Sequence, residues 1–255
     1  MPVVRGIHLK LDMEDILRRQ GLDLQKEPRP EIMKVLHQAM VEVEALGLLE
    51  PAVAYSFHPV AGMQKDTVIL EGGTEILGSL IPSTFPSAEQ LAVAVCTIGP
   101  KLEKKATDSF KENEQLRGLL LDGIGSSAVH ILCQEVCHLI SDEASARGYK
   151  ASSPLNPGMP GLSLSEQKKI FQLAQVEQIG VTLTSGQMMA PYKSTSLVIG
   201  VGANMPQWTQ AQMCAICPLN RRCHYKIRSA GGRRKANSAY RRAHQSCWQE
   251  EDGAQ

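Results

Sequence analysis

The sequence predicts an α+β fold followed by a small cysteine-rich segment. Three observations carry that prediction. Apolar residues at helical spacing open the chain and return in a long run near its middle, while short β-rich runs broken by glycine lie between and after them. Helices and strands do not alternate as a parallel βαβ array requires. With 255 residues, 43% of them hydrophobic, the chain can bury a substantial core, which excludes disorder as a description of the whole. The expected organisation is a helical segment 1–50, an α+β region 51–205 and a basic, cysteine-rich tail 206–255.

Positions 12–20 and 29–48 carry the first helices. In the second, Ile32, Val35, Leu36, Ala39, Met40, Val43 and Leu46 fall on one face, with Pro30 at its start and Gly47 near its end. Runs 53–57 and 67–70 read as strands, punctuated by Gly62, Gly72, Gly73 and Gly78. The stretch 83–87 leads into an expected helix start and then the apolar run 91–98, closed by Gly99 and Pro100. Helices are expected over 101–113 and about 115–147, the latter stopped by Gly148. Gly118, Gly123 and Gly125 weaken that helix intrinsically, so close approach of a backbone, a flat ligand or tight packing must account for them. Residues 152–161 are too rich in proline and glycine for regular structure. Ser163 and Glu166 have capping-box spacing ahead of a helix reaching Ala174, and 179–183 and 195–201 read as strands.

The formal net charge of +1 conceals an asymmetry. Nine cations, Arg221, Arg222, Lys226, Arg228, Arg233, Arg234, Lys235, Arg241 and Arg242, lie between Cys214 and Cys247, where no acidic residue occurs. Such a tail suits an acidic partner, an anionic cofactor or the charge of a thiolate–metal site. With 4% aromatic residues it has few stacking platforms, so nucleic acid is not the expected partner. No export signal opens the chain and no stretch reads as long enough to span a bilayer, so a cytoplasmic protein with no membrane partner is expected. Seven cysteines, an odd count, argue against a disulfide framework. Gly200-x-Gly202 lacks a third glycine, and no phosphate-binding loop occurs.

Four cysteines are spaced Cys214-x2-Cys217-x5-Cys223-x23-Cys247. Two thiolates two residues apart can turn inward on one loop, and a third and fourth can close a tetrahedral cage around zinc or an iron–sulfur cluster. Pro218 after Cys217 resembles cluster loops, and a second paired-cysteine knuckle, usual in zinc ribbons, is missing; both metals remain open, as does His224 in place of Cys247. Cys96, Cys133 and Cys137 lie in apolar surroundings and read as small buried hydrophobes. His130, Cys133, Cys137 and His138 share a helical face that suits either a metal or local hydrogen bonding under partial burial.

Three further elements are informative together. They are Thr97-Ile98-Gly99 followed by Glu103, the loop Pro157-Gly158-Met159-Pro160 running into 165–171, and the stretch 179–196 containing Met188, Met189, Ala190, Pro191, Tyr192 and Lys193. In this order they resemble the activation domain of cobalamin-dependent methionine synthase, in a stand-alone form with an added C-terminal cysteine motif. The likeness covers roughly residues 50–205. It implies a curved α+β domain around a twisted antiparallel sheet, whose concave surface meets a corrinoid carried by a partner, with S-adenosylmethionine in a shallow groove as methyl donor. Pro157, Gly158, Met159, Pro160, Met188, Met189, Pro191, Tyr192 and Lys193 are then the expected cofactor-facing residues; no catalytic residue is assigned. The chain departs from the family pattern where Leu155 and Asn156, not an arginine, precede Pro157, where Met159 replaces a tyrosine, and at Thr184-Ser185-Gly186. These changes remove a phenolic hydroxyl and the planar partner of the ligand's carboxylate.

The expected role is reductive activation of, or electron transfer to, a corrinoid protein or corrinoid methyltransferase, as a reductase, an activase or an accessory component. A [4Fe-4S] cluster on Cys214, Cys217, Cys223 and Cys247 would help return cob(II) to cob(I), with a ferredoxin or flavodoxin as candidate electron donor. The competing expectation is a non-catalytic scaffold that binds a corrinoid protein and carries structural zinc.

Overall fold

The computed structural model describes residues 3–20 and 28–206, together with 212, 215, 220 and 221. Its elements are β1 (Val3–Arg5), α1 (Met13–Arg19), α2 (Pro30–Ala45), β2 (Ala52–Gln64), β3 (Thr67–Leu70), β4 (Glu75–Leu77), α3 (Ile81–Thr84), β5 (Gln90–Thr97), α4 (Lys101–Lys111), α5 (Gln115–Ala146), β6 (Lys150–Ala151), α6 (Gln167–Ala174), β7 (Thr182–Leu183), β8 (Met189–Ala190) and β9 (Ser194–Gly202). Among the described residues, seven strands form one sheet in the order β4-β3-β2-β5-β9-β6, with β1 also paired to β2. The outer pairs are antiparallel. The central ones are too, since backbone bonds link Glu50 to Ile98 and Val60 to Glu89, then Glu89 to Val201 and Ile98 to Lys193. The α+β class with an antiparallel sheet and flanking helices is as the sequence predicts.

The described residues divide into two compact units, one of those up to Tyr55 with Ala94–Val136 and Ala174–Ser196, the other of Ser56–Val93, Cys137–Leu173 and the described residues from Leu197 onward. In the first, α2 buries Leu36, Ala39 and Val43, three positions of the predicted apolar face. The α5 residues Leu120, Leu121, Ile124, Ala128, Leu132 and Val136 are fully or almost fully buried at helical spacing. Asp15 of α1, itself buried, accepts from Ser127 Oγ at 2.6 Å. Each glycine early in α5 has a packing reason: a Cβ on Gly118 would lie 2.8 Å from the Phe110 ring, on Gly123 2.3 Å from Gln20, and on Gly125 3.1 Å from Lys193 Cε. Helix α5 is long and apolar enough to cross a bilayer by length and composition, contrary to the expectation that no stretch is; half of its most apolar window is buried in the protein.

In the second unit, β3 and β4 extend the sheet from the distal half of β2. Strand β2 runs well past the predicted 53–57 because its burial ends near Phe57, whereas its backbone pairing continues to Gln64. Apolar pattern reports burial and is blind to pairing. The helix start expected after Ser87 does not occur. A single turn, α3, precedes it, and Glu89 is held extended between Val60 and Val201. Gly200 and Gly202 are packing glycines: a Cβ would meet the Phe85 side chain at 2.9 Å and Ser87 O at 2.5 Å respectively.

Two other expectations are corrected. Ser163 Oγ accepts from Ser165 N and caps a 3₁₀ turn, Leu164–Glu166, while the Glu166 carboxylate takes Leu77 N at 3.1 Å and the Lys169 ammonium at 2.8 Å in place of a capping-box return. Of the strand expected over 179–183, Ile179 closes a 3₁₀ turn, Val176–Ile179, Gly180 follows at φ +69°, and only Thr182–Leu183 is extended, paired with Met189–Ala190.

Candidate functional site

In the first unit, two of the three informative sequence elements are bonded to each other. Glu103, in the first turn of α4, accepts from the backbone N–H of Tyr192 (2.8 Å) and of Lys193 (3.4 Å). Thr97 Oγ1, at the end of β5, accepts from Gly99 N at 3.0 Å and lies 2.8 Å from Ser194 Oγ, which donates to Pro191 O. Gly99 is held at φ +77°, with Glu50 where a Cβ would project, so the Thr-Ile-Gly spacing serves this turn. The result is a 191–194 segment fastened from beneath by one carboxylate and two hydroxyls.

The fastening displays some expected residues and consumes another. Tyr192 is 70% exposed and Met188 53%, while Met189 and Pro191 are half-buried. Lys193 folds its stem over Gly125 and places its ammonium 2.7 Å from Asp122 and 2.9 Å from Ser126 Oγ, leaving the side chain only 16% exposed. Its charge is neutralised within the chain. Asp122 and Ser126 sit on the predicted helix 115–147 without any sequence signal tying them to Lys193, because that pairing depends on how α5 packs. Nearby, Arg117 donates to both Glu42 oxygens at 2.6 and 2.8 Å, and Lys105 lies 3.1 Å from the same carboxylate. The Arg117 guanidinium, outweighing the opposing effect of burial, lowers the Glu42 carboxyl below its usual range, with help from Lys105.

The Pro157–Pro160 loop belongs to the second unit. It is self-bonded: Gly158 N donates to Leu162 O, Met159 N to Asn156 O, and Leu162 N to Met159 O. Gly78 and Gly161 let it approach the segment after β4, since a Cβ on Gly78 would lie 2.6 Å from Gly161 O and one on Gly161 2.3 Å from Leu80. Beside the loop is an open depression of about 560 Å3, lined by Asp66, Ser79, Met159 and Ser163 among others. Met159 is 48% exposed. Asp66 and Ser79 carried no sequence signal, and Gly78 read only as punctuation between strands.

Cys214, Cys217, Cys223 and Cys247, and His224, lie outside the described residues. Among the described residues, no group of three or more His, Cys, Asp or Glu gathers as a metal site, and the His130–His138 face does not form one. Cys96 and Cys137 are buried and Cys133 half-buried. Burial, with Cys133 adding to it, pushes the Cys96 thiol well up, as suits an unreactive core residue.

In class, the fold is an α+β domain built on an antiparallel sheet. The sequence matches no family model. It matches no curated protein either. Thirteen solved chains match in structure, among them the crystal structure of the MetH reactivation domain bound to AdoHcy, with a TM-score of 0.60, 12% sequence identity, and coverage of 78% of this chain and 77% of that one. At that identity the likeness establishes the fold.

Proposed function

We propose that this chain acts in the reductive activation of a corrinoid-dependent methyltransferase, meeting the partner with its 51–205 body and carrying electrons through its 206–255 tail in the cytoplasm. The observation that carries the reading is the outward-facing Met188–Tyr192 turn, fastened by Glu103 and Thr97 on a fold like that of the MetH reactivation domain. An exposed thioether and an exposed phenol suit contact with a large flat ring on a partner. Lys193, paired with Asp122, positions that turn and leaves contact with the ring to its neighbours.

The four tail cysteines form a donor set suited to an iron–sulfur cluster, and the surrounding cations favour their thiolates. A cluster held there would supply one electron at a time, taken from a reduced ferredoxin or flavodoxin and passed to the partner's cob(II) to give cob(I). The described residues around the Pro157–Pro160 loop do not fit S-adenosylmethionine, because no lysine or arginine lines the depression to meet the ligand's carboxylate. No methyl-transfer step is therefore drawn.

Anaerobic purification tests the cluster, and cob(II) reduction tests the role. A brown protein with iron near cluster stoichiometry that accelerates loss of cob(II) absorbance, with the rate falling at least about tenfold in Cys217→Ser, is the expected result. Full activity in that variant would remove the relay. A colourless protein with one zinc and no effect on cob(II), yet tight binding to a corrinoid protein, would make the chain a zinc-stapled scaffold.

A further inference from the structure

We infer that Met188 is an oxidation switch: hydrogen peroxide converts its thioether to the sulfoxide, and the polar product breaks contact between the Met188–Tyr192 turn and a corrinoid. The inference rests on the activation reading for what the turn touches, and it adds a means of regulating that contact.

Met188 is 53% exposed, the most open methionine among the described residues. Its backbone cannot swing the side chain out of reach. Met188 N donates to Thr184 Oγ1 at 3.1 Å and Thr184 N donates to Met188 O at 2.8 Å, closing the turn between β7 and β8. Further along, Glu103 accepts from Tyr192 N and Ser194 Oγ donates to Pro191 O, so the segment is pinned on that side too. A thioether held outward on a pinned hairpin stays open to a small oxidant in solution. Met189, the next residue, is half-buried, and Met205 is 3% exposed. Oxidising a core methionine damages a fold. At Met188 the new oxygen stands in water, so the protein keeps its structure and changes only what its surface offers.

The step is an oxygen transfer. The O–O bond of peroxide breaks, one oxygen bonds to the Met188 sulfur, which is oxidised by two electrons, and the other leaves as water. The proposed reaction generates this oxidant where it acts, because cob(I) loses an electron readily to dioxygen. Two such losses, with two protons, return two cob(II) and one hydrogen peroxide. A bare thioether suits the face of a flat ring. A sulfoxide is a strong acceptor, and pressing it against that ring strips it of water, at a cost unless a donor replaces the water. The Lys193 ammonium is already committed to Asp122 and Ser126 and does not serve. Oxygen therefore releases the partner, and enzymatic reduction of the sulfoxide restores the contact.

Free cob(II)alamin is the probe, titrated calorimetrically into the full chain without oxygen, before and after treatment with hydrogen peroxide. One added oxygen on the Met188 peptide by mass mapping, an unchanged thermal midpoint and an affinity lower by at least about tenfold are expected. Methionine sulfoxide reductase, which acts on sulfoxides and not on oxidised thiols, should restore the affinity. Met188→Leu, whatever its starting affinity, should bind equally before and after peroxide, whereas Met159→Leu should still lose affinity. Affinity unchanged by oxidation of Met188, an equal loss in Met188→Leu, a thermal midpoint that falls with oxidation, or binding that the reductase does not restore would each overturn the inference. An untreated chain that does not bind cob(II)alamin would remove the ring contact of the activation reading itself, and this switch with it.

Discussion

Glu103 shows how one side chain can fix a surface that it does not itself form. Its carboxylate serves two backbone donors of the Tyr192–Lys193 segment, so Glu103→Ala should cost about 1–3 kcal/mol in urea unfolding and speed hydrogen exchange of the Tyr192 amide, with Tyr192 still exposed. Glu42 makes a different kind of contribution. Its carboxyl is held low in the folded protein by Arg117, so the stability it adds is present above the unfolded carboxyl value of about 4.3 and is lost as pH falls through the lower folded value. Glu42→Gln should therefore flatten the acid limb of the stability profile below about pH 4.5, and the thermal midpoint followed from pH 7 to pH 3 measures it. Neither role could be read from the sequence. Glu103 stood out by its distance from Thr97-Ile98-Gly99, but its donors lie about ninety residues away, and Glu42 was one polar position on an amphipathic helix.

At the scale of elements, strong local patterns survived tertiary folding and weak ones were overridden. Helices α2, α4 and α5 fall where apolar spacing put them, because a helix satisfies its own backbone and needs only a face to bury. Leu132, fully buried on α5, illustrates the cost of that face: Leu132→Ala should lose about 2–5 kcal/mol by chemical denaturation. Strands behave differently, since their backbone partners come from elsewhere in the chain. The ends of β2 and the whole of β1, β4, β6 and β8 were set by pairing, and the expected helix start after Ser87 yielded to an extended Glu89 between two strands. Gly200→Ala should cost about 1–3 kcal/mol for the same reason, as a methyl there meets the fully buried Phe85 side chain; a matched Gly62→Ala, with open space around it, should cost less in the same assay.

Over the whole molecule, charge separates tail from body. Nine cations and no anion lie between Cys214 and Cys247, in a chain whose net charge is only +1. If the tail meets an acidic corrinoid protein, association should weaken as salt rises from 50 to 500 mM, on the order of the screening that shrinks the Debye length from roughly 14 to 4 Å, and surface plasmon resonance across that range measures it. By itself the sequence determined the α+β class, the long helices, the cysteine spacing and the three elements that suggested a reactivation-type fold, since each is written in periodicity or in residues close along the chain. Only the tertiary structure decided that Glu103 fastens the Tyr192 turn, that Asp122 neutralises Lys193, and that Asp66 and Ser79 share a depression with Met159. Those contacts join residues tens of positions apart, and a linear pattern carries no information about which distant partners will satisfy a charge or an amide until the chain has packed.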